Sequence, residues 1–120
     1  EDADASWREA RRELILRGYL GEQYFGPFLS AAELKEMRAS FPKFLDAWKK
    51  GSDVIAGVPA ALVSKMLENI SFVGGIDAIE PAIATLQQFA AAGLSEIALR
   101  VHDEPAAAIR LIGERIIPAL

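Results

Sequence analysis

Ile70-Ser71-Phe72-Val73-Gly74-Gly75 and Glu96-Ile97-Ala98-Leu99-Arg100-Val101 are the two stretches on which the expected fold turns. Each is a short apolar run bounded by turn signals, the pattern of a buried strand. Between them, Asp77 and Glu80 form a helix-start signature, and Ile79, Ile83, Leu86 and Ala90 supply an apolar face. Gly93 is well placed to end that helix. After the second run, Pro105 opens a last helix with Ile109, Ile112 and Ile116 inward, and Pro118 stops it.

Residues 70–116 therefore read as strand, helix, strand, helix. Strands joined through a helix run parallel with a right-handed crossover. Nearly continuous apolar strands are covered on both faces, and the helices of two such units cover one. A closed barrel covers the other with its packed interior. The expected class is α/β: a partial (β/α)8 TIM barrel, helix-rich, with its last βα units at residues 57–120 and a preceding helical segment at 1–56. A whole barrel takes ~250 residues, so a chain of 120 residues supplies a third to a half of one. An open doubly wound sheet is the structural alternative, with the helices of 1–56 on the opposite face.

Outward from that core, the chain reads as helix. From about Ser6 to Tyr24, Trp7, Ala10, Leu14 and Gly18 recur at helical spacing, with Ile15 and Tyr19 widening the stripe. Gly26-Pro27 marks a loop. Ser30 then caps a second helix, and Glu33 completes a capping box. Leu34, Met37, Phe41, Phe44, Leu45 and Trp48 share one face, which reads as core. Pro42 breaks or kinks this helix with Ser40 as a fresh N-cap, and Gly51 ends it. Pro59 opens a helix that buries Leu62, Val63, Met66 and Leu67.

Composition narrows the function. Hydrophobic residues make up 52% of the chain, which excludes disorder, and no apolar stretch reaches the length of a membrane span. The opening Glu1-Asp2-Ala3-Asp4 does not read as a signal peptide. The absence of cysteine excludes disulfides and thiolate chemistry and suits a cytoplasmic location. A net charge of −4 argues against nucleic acid or an anionic membrane as partner. Residues 1–50 hold nine acidic and nine basic side chains, whereas 51–120 hold eight and four. So little polar cover on the second part implies burial by something else, either the remainder of a barrel or self-association into a homo-oligomer.

Several features come in a characteristic order: Val58-Pro59, a helix ending near Asn69, an apolar run closing on Gly74-Gly75 and a capped helix. Ala92-Gly93-Leu94 then leads into Glu96-Ile97-Ala98-Leu99, and a helix closes on Ile116-Ile117-Pro118-Ala119-Leu120. This order resembles the C-terminal end of the luciferase-like oxidoreductases. That family includes deazaflavin-dependent methylenetetrahydromethanopterin reductases and flavin monooxygenases. Arg11-Arg12 through Tyr19-Leu20 and the turn at Gly26 are similar to the region before the family's seventh strand. The resemblance implies hydride transfer with a deazaflavin (coenzyme F-420) or FMN in the parent protein. Most of the cofactor site would come from strands absent here, so the isolated chain is expected to be inactive and to bind flavin weakly or not at all. One departure is plain. Where the family often has a small hydroxyl residue, then Pro, this chain has Ile76 and Asp77, with its proline displaced to Pro81.

The candidate site follows from strand ends, where barrels of this type place their chemistry. Gly74 and Gly75 would let the backbone approach a cofactor closely, and a following helix start favours an anion. Arg100, two residues before His102, would point the same way along a strand and bind a carboxylate or the anionic tail of a deazaflavin. His102, which titrates near neutrality, is the candidate catalytic proton donor. The competing readings are a tight turn that needs no ligand and a surface His paired with Asp103 or Glu104. A single His and no Cys leave no metal site. The alternative function is a small helix-rich structural or protein-interaction module without catalysis.

Overall fold

The computed structural model describes residues 2–18, 22–101 and 105–120. Seven helices are seen among them: α1 (Ala3–Gly18), α2 (Glu22–Phe25), α3 (Ala31–Ala39), α4 (Phe41–Lys49), α5 (Ala60–Ile70), α6 (Ile79–Ala91) and α7 (Pro105–Leu111). A 3₁₀ turn at Ile76–Ala78 leads into α6, and a π turn (Ile112–Ile116) followed by a 3₁₀ turn (Ile117–Ala119) continues from α7.

No strand occurs among the described residues, which overturns the α/β expectation of a partial (β/α)8 barrel. Both expected strands fail. Ile70 is the last residue of α5 and packs with Met66 and Leu67 on its buried side. The presumed strand thus begins as the end of a helical face, and Ser71 beyond it, although extended (φ −145°, ψ 152°), belongs to no strand. Residues 94–101 are neither helix nor strand. A short apolar run has no preference of its own between helix and strand, and a strand requires a neighbour to pair with.

The chain divides into two compact units, Asp4–Val73 and Gly74–Leu120, with Asp2 and Ala3 grouped with the latter. In the first, Leu14, Phe25, Leu34, Met37, Phe44, Leu62, Val63, Met66 and Leu67 are among the buried core, with Trp7, Ala10 and Ile70 packed against it. Met66 and Leu67 are fully buried, each worth about 1.5–3 kcal/mol of apolar burial. Phe25 meets Phe28 edge-to-face, with ring centroids 5.8 Å apart. Tyr19 and the Ile15 side chain lie outside the described residues.

The local signals of this unit work largely as expected. Ser30 Oγ accepts from Glu33 N–H at 3.3 Å, while Glu33 Oε2 accepts from Ser30 N–H at 2.7 Å, a complete capping box. Pro42 breaks the helix: α3 stops at Ala39 and α4 begins at Phe41. Ser40 is a different matter. It makes no side-chain cap, because its backbone is helical (φ −89°, ψ −1°) and its hydroxyl bonds Glu36 Oε1 at 3.3 Å. Trp48 is exposed and Ala47 is buried in its place.

In the second unit Ile79, Ala82, Ile83 and Leu86 of α6 are buried. Ala90, expected on the same face, is exposed. The Asp77–Glu80 cap does not form; Ala78 precedes α6 without a side-chain bond. Gly93 ends α6 at φ +94°: its N–H donates to Ala90 O at 2.9 Å and Leu94 N–H donates to Phe89 O at 3.0 Å. This is the paired Schellman closure. Gln87 Nε2 reaches forward to Ala119 O at 2.8 Å. Ile109 is exposed rather than inward, and Ile112 and Ile116 are half-buried. The sheet they were expected to face is absent from the described residues.

Candidate functional site

The described residues cover only part of the sequence-derived site. His102, with Asp103 and Glu104, lies outside the described residues. Arg100 is exposed in the stretch 94–101, which is not the end of a strand. Gly74 has φ +143°, and a Cβ built there would stand 2.7 Å from Ala78 Cβ. The glycine is therefore demanded by its own turn. Gly75 O accepts from Ala78 N–H at 3.1 Å and so closes the 3₁₀ turn. With Gly75 at φ −88° and ψ −158°, ordinary for any residue, the pair builds a turn before it builds a ligand cradle.

A depression of about 400 Å³ lies in the first unit, between α4 and the loop after it. Pro42, Lys43, Asp46 and Ala47 of α4 contribute to its lining, as do Lys50, Ser52, Val54 and Ala56 after the helix. Lys43 Nζ donates to Gly57 O at 2.6 Å and thereby holds the loop across the helix. Lys50 Nζ donates to Asp46 Oδ2 at 2.7 Å, one helical turn away. Ser52 Oγ accepts from Val54 N–H and donates to Val54 O, both at 3.0 Å. The polar groups of this groove thus have partners within the fold, and their geometry maintains the loop. Sequence reading did not single out this groove. The Asp46–Lys50 spacing was visible, but the Lys43–Gly57 bond that shapes it spans 14 positions and leaves no local signal.

Ion pairs in the first unit tie helices together. Lys65 Nζ on α5 bonds both oxygens of Glu33 on α3 at 2.9 Å. The Lys65 hydrogen bonds, then those from Ser30 backbone and hydroxyl, lower the Glu33 pKa from 4.5 to about 2. Arg38 on α3 likewise pairs with Glu22 on α2.

Among the described residues no group of three or more His, Asp or Glu side chains is placed to hold a metal ion. No described helix is long and apolar enough to cross a membrane. Neither a family model, nor a curated protein, nor a solved structure matches the chain.

Proposed function

We propose that this chain works by binding rather than turnover: it is a helix-rich protein-interaction module, and its second unit offers the apolar surface. One observation carries the reading. Eight of the twelve large apolar side chains exposed among the described residues belong to Gly74–Leu120, the shorter unit. They include Ile76, Phe89, Leu94, Ile97, Ile109 and Leu120. Scattered apolar side chains are normal on a surface, but such a concentration marks a contact region. Sedimentation velocity across a wide concentration range tests it. Association in the micromolar range is expected, and a clean monomer at the highest concentration would count against it.

The second reading keeps the resemblance: the chain as part of a luciferase-like oxidoreductase using FMN or coenzyme F-420, inactive alone. The feature in its favour is the stretch 94–101, largely apolar and exposed, which residues of a longer chain would cover. Upstream coding sequence for roughly 200 further residues of βα periodicity would support it. On either reading the isolated chain binds flavin weakly or not at all. A titration that saturates at micromolar FMN would contradict the interaction module and the expected inactivity together.

A further inference from the structure

We infer that residues 95–101 pair with the same residues of a second copy of this chain, as an antiparallel two-stranded ribbon with its two-fold axis at Ala98. This rests on the interaction-module reading and supplies its partner and its contact. In the described structure residues 95–99 enter no backbone–backbone hydrogen bond, and all of 94–100 are exposed. An exposed row of amides and carbonyls is a template for another strand. The side chains suit that use. Ile97, Leu99 and Val101 fall on one face of an extended chain, and Glu96, Ala98 and Arg100 on the other.

Charge decides both direction and register. In an antiparallel pair centred on Ala98, Glu96 of each copy stands opposite Arg100 of the other, and Ile97 stands opposite Leu99. Parallel in-register pairing would set Glu96 against Glu96 and Arg100 against Arg100. Moving the axis by one residue to Ile97 leaves Glu96 opposite Ala98 and matches no charge. Opposite charges across strands stabilise and like charges directly opposed destabilise. The segment is therefore self-complementary about one residue, as a two-fold interface requires.

Two experiments on the full chain test this. Ala98→Cys introduces a single thiol into a cysteine-free chain, and directly opposed antiparallel residues lie within disulfide reach. Mild oxidation should give a covalent dimer, whereas Ala91→Cys, exposed at the end of α6, should not. Charge swaps give the second arm. E96K and R100E should each weaken dimerisation roughly tenfold or more, since each replaces both cross-strand attractions with repulsions. The double variant E96K/R100E should restore it, and an equimolar mixture of the two single variants should associate as a heterodimer. A concentration-dependent dimer indifferent to the swaps would overturn the ribbon and leave the interaction module standing. Absence of any dimer would sink both.

Discussion

At Gly74 the backbone occupies φ +143°, a region that residues with a Cβ rarely enter, and Ala78 closes off the space a methyl group would need. Gly75 beside it has an ordinary backbone. The two glycines look alike in sequence, and the requirement on each comes from the turn that follows. Gly74→Ala should cost about 1–3 kcal/mol of stability, and Gly75→Ala much less, as measured by chemical denaturation. Equal losses would show that the turn tolerates a side chain at Gly74. The sequence places a turn at this position, but it cannot distinguish a glycine needed for its own angles from one that makes room for a ligand. Arg100 shares that limit: its proposed cofactor role depended on a strand end that is not seen among the described residues.

Elements with local signals were legible and those needing distant partners were not. Ser30 and Glu33 are three residues apart, so their reciprocal cap could be read directly. So could the buried quartet of α5, whose spacing is helical, and the glycine stop of α6. The second partner of Glu33 lies 32 residues away at Lys65 and gave no sign. That pair has a pH signature. The Glu33 pKa is lowered on folding, so its contribution is fully present above 4.5 and drains away as pH falls toward about 2. Lys65→Met should flatten this part of the acid-denaturation curve while leaving the Ser30 cap in place. An unchanged acid limb would mean that α3 and α5 are not tied through this pair. The misread strands have the opposite cause. Ile70 extends a helical stripe begun by Met66 and Leu67, and a run of four residues is too short for its period to reveal this.

Across the whole molecule, the uneven charge distribution was the informative quantity. The part poor in charged residues is also the part whose apolar side chains stay exposed among the described residues. What composition could not supply was the architecture that leaves them so, because helices and strands bury apolar surface equally well. The first unit, by contrast, closes a contiguous core around Met66 and Leu67. Leu67→Ala should destabilise it by about 2–5 kcal/mol, visible as a lower thermal midpoint. A loss below about 1 kcal/mol would indicate a looser interior than the burial of Leu67 implies.

Both tryptophans, Trp7 and Trp48, and both tyrosines, Tyr19 and Tyr24, fall within Asp4–Val73. Indole emission is therefore a private reporter of that unit: Trp7 is packed against its core and Trp48 stands in water. Gly74–Leu120 is optically mute at those wavelengths. Its melting or its coupling to another copy must be followed by backbone dichroism, by mass, or by an indole planted there for the purpose.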